Sequence, residues 1–263
     1  MYPCNCKTLI GGQIAAENID DGIESNVPIS PFLTGGSLTR TGLITHQSLG
    51  KPSRGGALKA STLRDVLKSG YKMPGEQSQN IDGYVRDDAL SGRRSQVYHN
   101  PTTGQSIISH RGTEGTLADW KNNLLYATGL YKHTNRYKHA KDAQAKAEAK
   151  YGAKNLSTIG HSQGAMLAEE VGKNSKESIS LDRPANLSAL LTHKTGKNHH
   201  DVRTNTDVVS SMIPLQKQSN KTTTIKAGSY NPLKSHDVGQ LDKLGDTMIG
   251  SGIKNKTRKV RKK

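Results

Sequence analysis

The residues best placed to do chemistry in this chain are Gly160-His161-Ser162-Gln163-Gly164. They form a Gly-x-Ser-x-Gly quintet between a short β-prone run, Leu156 to Ile159, and a helix-prone run that ends near Gly172. That layout reads as a nucleophile elbow. At so tight a strand-to-helix turn, Gly160 and Gly164 leave room where a β-carbon would collide with neighbouring backbone. Ser162 can then hold a strained conformation with its hydroxyl exposed. The hydroxyl would stand at a helix N-terminus, whose orphan N–H groups can face a developing oxyanion.

A serine hydroxyl is a weak nucleophile at neutral pH, so Ser162 needs a base within hydrogen-bond reach and an acid that orients the base. In elbow-type sites the partners follow in the order serine, acid, histidine. The histidines after Ser162 are His193, His199, His200 and His236, and the carboxylates before His236 include Asp182, Asp201 and Asp207. His236 is the preferred base because it lies in a turn-prone loop, Ser229 to Asp237, late enough to return over a sheet. Asp207 is the preferred orienter because it follows a β-prone run and precedes Val208-Val209-Ser210. Asp182 reads as part of a polar connector, and Asp201 is the fallback. His199-His200 would point to opposite sides of an extended strand, which favours a surface role over a metal chelate. His161 reads as support for the turn, and no metal is expected.

A second stretch, His110-Arg111-Gly112-Thr113, leaves a β-prone run and leads to Asp119-Trp120, which holds the only Trp of the chain. A strand that ends in a Gly-containing loop ahead of a helix is a candidate second half of an oxyanion hole. The plainer reading is an ordinary strand-to-helix loop with a packed Trp, and Asp119 would charge the N-terminus of a helix running through Leu125.

The elements that must position these residues follow from periodicity. Leu58 to Gly70 reads as a helix with Leu63, Val66 and Leu67 on one face, Ser61 or Thr62 as cap and Gly70 at its close. Ser95 to His99 and Gln105 to His110 flank a turn-rich Asn100-Pro101-Thr102-Thr103-Gly104 and read as a hairpin. Thr134 to Tyr151 is a second helix, with Tyr137, Ala140, Ala147 and Tyr151 on one stripe and Gly152 beyond. Weaker strand candidates are Ser188 to His193, Asp201 to Asn205 and Thr222 to Ala227. Alternation of strand and helix is what a mainly parallel sheet with helical crossovers requires.

Composition bounds the rest. The chain has 263 residues, 32% hydrophobic and 4% aromatic, enough for one moderate core. Residues 1–57, rich in Gly, Ser and Pro, read as a flexible arm, residues 58–245 as the folded domain and residues 246–263 as a disordered basic tail. A formal charge of +16 suits an anionic membrane surface, nucleic acid or an acidic protein. Lys254, Lys256, Arg258, Lys259, Arg261, Lys262 and Lys263 crowd the tail, which could hold phosphate. Cys4 and Cys6 supply two of the four ligands a structural zinc takes, and read as reduced thiols. No signal peptide or transmembrane segment is visible, so a cytoplasmic protein is expected.

Taken together, His110-Arg111-Gly112-Thr113 with Asp119-Trp120, Gly160-His161-Ser162-Gln163-Gly164-Ala165, Asn205-Thr206-Asp207-Val208-Val209 and Ser235-His236 resemble the class 3 lipase family, the fungal-lipase-like branch of the α/β-hydrolases. The resemblance runs from about Val97 to Gln240. It implies an α/β-hydrolase-like, mainly parallel sheet with helices on both faces. It also implies a serine esterase or lipase acting on acylglycerol or phospholipid esters without a cofactor. By the same resemblance Ser162 is the nucleophile, Asp207 the orienter and His236 the base, with backbone N–H groups of Thr113 and Gln163 as oxyanion donors. Three features depart from the family: His110 stands where an aromatic residue is common, Ala165 replaces the second glycine, and the intervals from Ser162 to Asp207 and on to His236 are short. Family members occur in large DNA viruses as well as in cells. The rival expectation is therefore a catalytically idle, virion-associated scaffold that binds nucleic acid or an acidic assembly.

Overall fold

The computed structural model describes residues 57–113, 130–184, 196–211, 222–227 and 231–250, all within the unit His46–Lys263. The arm, the Asp119-Trp120 segment, the Ser188 to His193 strand candidate and the lysine-rich end lie outside the described residues. An eight-stranded sheet forms the body. Its order is β2 (Asn80–Ile81), β3 (Tyr84–Arg86), β4 (Ser95–Asn100), β5 (Gln105–His110), β6 (Leu156–His161), β7 (Glu177–Leu181), β8 (His199–Thr204) and β9 (Thr222–Ile225). Strands β2 to β5 pair antiparallel and β5 to β9 pair parallel. A separate two-stranded ribbon joins β1 (Leu58–Lys59) to β10 (Met248–Ile249). This is an α/β-hydrolase-like architecture.

Among the described residues, three longer helices flank the sheet near the site. Helix α1 (Ala60–Gly70) packs its Leu63, Val66 and Leu67 against Ile107, Ile159, Ile179 and Val202 on one face of the sheet. Helix α2 (Asn135–Tyr151) lies on the opposite face, where Ala147 meets Val97, Ile108 and Leu156. The split follows from the pleat, because successive strand residues point to opposite faces. Ile107 and Ile159 go to one side, Ile108 and Leu156 to the other. Helix α3 (Gln163–Val171) follows β6 after a single residue and shares the α2 face.

Several expectations need adjustment. Helix α1 begins two residues later than Leu58, because Leu58 and Lys59 pair with β10, and its N-cap Lys59 makes no side-chain cap bond. The folded body also runs past residue 245, through Met248–Ile249, so part of the segment read as tail is strand. Helix α2 matches its reading, with the Thr134 hydroxyl accepting from the Tyr137 N–H and Gly152 beyond its end at φ 80°. Strand β7 was not anticipated. Its sequence Glu-Ser-Ile-Ser-Leu alternates, and Ser178 and Ser180 are buried only because their hydroxyls donate to the carbonyls of Ala168 and Ala165 in α3.

Candidate active site

Ser162 is the one residue between β6 and α3, and its backbone sits at φ 57°, ψ −127°. An L-residue adopts that region only under constraint. The constraint is visible on all sides. The Ser162 N–H donates to the Leu181 carbonyl at 3.0 Å, and its own carbonyl accepts from the Ala165 N–H at 3.0 Å. A β-carbon on Gly160 would strike the Gly164 carbonyl, and one on Gly164 would strike the backbone of His110 and Arg111. Any larger residue at either place would push α3 off the strand ends. Ser162 is 3% exposed, so its hydroxyl is buried where the elbow reading expects it exposed, and it has no hydrogen-bond partner among the described residues. A buried hydroxyl left without a partner is costly in an ordinary core.

Strand β8 ends at Thr204, and the chain turns so that the Asp207 N–H donates to the Thr204 carbonyl at 3.1 Å. The Asp207 carboxylate is buried and accepts from the N–H groups of Val209 and Ser210 at 3.2 and 2.8 Å. It also accepts from His236 Nδ1 at 3.0 Å. Burial alone would push this carboxyl up. The His236 hydrogen bond and charge, with Ser210, outweigh burial and hold it below the ordinary carboxylate range. His236 follows the short helix α4 (Pro232–Ser235), whose Ser235 hydroxyl lies 2.7 Å from that of Thr206, so the two loops are tied beside the imidazole.

Around His236 stand two groups that sequence reasoning undervalued. The His161 ring lies 4.8 Å from the His236 ring, centroid to centroid, and its Nε2 is 2.8 Å from the His236 carbonyl oxygen. Asp182 is fully buried at the end of β7, not part of a polar connector. It accepts from the N–H and hydroxyl of Thr204 at 2.6 and 3.1 Å, and more weakly from Ser210. Burial, followed by the charge of Asp207, pushes the Asp182 carboxyl up to about 7. One atom from each of His161, Asp182 and His236 falls within 4.8 Å of the others, a spacing a metal could in principle span. Both ring nitrogens of His161 already hold partners, the Tyr71 hydroxyl and the His236 carbonyl, so a metal there would have to displace one of them.

On the other side of Ser162, Thr113 leaves β5 beside the elbow, and its hydroxyl donates to Gln163 Oε1 at 2.7 Å. A β-carbon on Gly112 would lie 3.1 Å from that of Ser162, so this loop and the elbow are in direct contact. Arg136 of α2 donates to the Arg111 carbonyl just before it. His110 is buried, 2.9 Å from the Ser95 hydroxyl, and burial lowers its pKa to about 4.

No protein-family model matches the chain, and no curated protein matches it. Among solved structures, the chain is similar to the crystal structure of Lip2 lipase from Yarrowia lipolytica. The identity is 12%, the TM-score 0.46, and the match covers 67% of this chain and 80% of that one.

The remaining candidates fall elsewhere. His199 and His200 do point to opposite faces of β8, but both are buried rather than at the surface: His199 meets Ser178 and Asp201, and His200 meets Thr223. Asp201, the fallback acid, forms a two-pronged pair with Arg183 at 2.9 and 3.0 Å. His193 lies outside the described residues. Tyr71 escaped sequence reading altogether. The available signal was parity: His161 lies two residues after Ile159 on a strand whose Ile159 faces α1, and Tyr71 is the residue that caps α1.

Proposed function

We propose that this chain is a serine esterase that hydrolyses carboxylic esters of lipids, with Ser162 as nucleophile, His236 as base and Asp207 as the group that orients the base. The reading is carried by the hydrogen bond from His236 Nδ1 to a buried Asp207. It fixes the neutral imidazole as the Nδ1–H tautomer and leaves Nε2 as the basic nitrogen. The strained backbone of Ser162 supports it.

In this mechanism His236 Nε2 takes the Ser162 proton as Oγ attacks the acyl carbonyl carbon. The carbonyl electron pair moves to oxygen, which the N–H groups of Thr113 and Gln163 stabilise. As the tetrahedral intermediate collapses, the imidazolium returns its proton to the departing alcohol. Water, deprotonated by His236, then attacks the acyl-enzyme and releases the carboxylic acid and Ser162. Asp207 stays ionised throughout and stabilises the imidazolium. The residues supply nucleophile, proton transfer and oxyanion stabilisation from the chain itself.

The high positive charge favours anionic phospholipid or monoacyl esters as much as neutral acylglycerol. Purified protein should turn over p-nitrophenyl butyrate, and Ser162→Ala should not. A wild type without ester turnover would leave the second reading, a basic scaffold for nucleic acid or another polyanion.

A further inference from the structure

The face of the sheet that carries α1 delivers a tyrosine to the elbow from outside every motif discussed so far. Tyr71 caps α1, and its hydroxyl lies 2.7 Å from His161 Nδ1 and 3.1 Å from the Gly112 N–H. His161 Nε2 in turn lies 2.8 Å from the carbonyl oxygen of His236. Hydrogen positions in this chain of contacts are forced by chemistry. A carbonyl oxygen only accepts, so His161 Nε2 must carry a proton and donate. Burial, reinforced by the neighbouring His236, pushes the His161 pKa down to about 3, so the ring is neutral and Nδ1 is a bare acceptor. The Tyr71 O–H must therefore donate to Nδ1, which leaves its oxygen to accept from Gly112. Burial pushes the phenol up to about 12 and keeps that proton in place.

The result is one directional sequence: Gly112 N–H to Tyr71 oxygen, Tyr71 O–H to His161 Nδ1, His161 Nε2–H to the His236 carbonyl. Its two ends are the backbones of the two loops that flank Ser162. Gly112 directly precedes Thr113, and the His236 carbonyl belongs to the imidazole-bearing residue itself. Glycine is required at 112 by the same contact, because a β-carbon there would strike the Tyr71 hydroxyl and come within 2.9 Å of the His161 carbonyl. The Tyr71 ring also meets the His161 ring edge-on at 5.7 Å. Arg111 adds a weaker tie from the same loop to the α1 terminus, 3.5 Å from the Gly70 carbonyl.

We propose that Tyr71 is a positioning residue for ester hydrolysis, acting through His161 to hold the Thr113 loop and the His236 loop at fixed separation across Ser162. Bonds in such a series polarise one another, so loss of the central hydroxyl weakens both ends at once. The proposal rests on the serine esterase reading above.

The test uses the full chain with Tyr71→Phe, which deletes one oxygen and keeps the ring. Against p-nitrophenyl butyrate, kcat should fall about tenfold with KM within about twofold. The groups being positioned act mainly in the transition state, and losing an oxyanion donor outright costs about 10²- to 10³-fold. A fall in kcat below threefold, or a change confined to KM, overturns the proposal. Nitrogen-15 NMR of histidine-labelled wild type gives an independent readout should the variant fold poorly. His161 should be the neutral Nε2–H tautomer, and an Nδ1–H tautomer or a protonated ring would overturn the relay. Failure of the underlying reading looks different: wild type itself would then lack ester turnover.

Discussion

Asp182 and Arg183 are neighbours at the end of β7, yet they enter two buried polar clusters of opposite character. Arg183 is 1% exposed on its side chain and pairs with Asp201 through two hydrogen bonds and with Glu169 at 3.1 Å. His199 bridges Asp201 to Ser178, which is itself tied to α3. Burial would push Asp201 up, but Arg183 and His199 outweigh it and hold its carboxyl far below the ordinary range. Opposite charges face each other there. Around Asp182 like charges face each other instead: two buried carboxyls, Asp182 and Asp207, influence one another's ionisation, and beside them Ser162 keeps a strained backbone and a hydroxyl without a partner among the described residues. The first cluster holds strands together. On the proposed esterase reading, the second stores the imbalances that catalysis would use.

Asp207→Asn should lower kcat for p-nitrophenyl butyrate by about 10⁴-fold, or about 5.5 kcal/mol of barrier, because the amide cannot hold the productive His236 tautomer. Its folding stability, measured by urea unfolding, should change far less. Arg183→Ala should do the reverse. Leaving Asp201 and Glu169 buried without their partner should cost about 3–5 kcal/mol of stability, while any folded fraction keeps kcat within a few-fold. Equal effects of these two substitutions on both quantities would erase the distinction between the clusters.

Smaller effects sharpen it. The Asp182 carboxyl has a folded pKa of about 7 against about 3.9 in an unfolded chain. The folded state therefore binds this proton more tightly. Its contribution to stability is fully present below about pH 4 and is lost as pH rises toward about 7. Thermal melts across that window should show the decline in wild type and a flatter profile in Asp182→Asn, which keeps an acceptor for the Thr204 N–H. An unchanged slope would mean that Asp182 ionises freely. Smallest of all, deletion of Lys254 to Lys263 should leave short-ester turnover within twofold while weakening retention on heparin.

How much of this could be read in the sequence depends on how local the physics is. Helices α1 and α2, the β4–β5 hairpin and the elbow were legible because each is written in a few consecutive residues: a 3.6-residue apolar stripe, a turn between β-prone runs, paired glycines around a serine. The His236–Asp207 contact was reachable from chain order and turn propensity. Strand β7 was not, because its serines look solvent-facing until the carbonyls of α3 are there to receive them. Asp182 was misread for a related reason: its position is polar in sequence and buried in space, and its partners Thr204 and Ser210 come from β8 and the loop beyond. Tyr71 depends on α1 ending opposite β6, which no local pattern states.

On the proposed reading Ser162 is an activated nucleophile with His236 as its base. Treatment with a fluorophosphonate, followed by peptide mass spectrometry of wild type, Ser162→Ala and His236→Ala, tests it directly. A single adduct is expected on Ser162, none in Ser162→Ala, and labelling slowed by at least about 10²-fold in His236→Ala. Labelling at another residue, or a rate indifferent to His236, would contradict it.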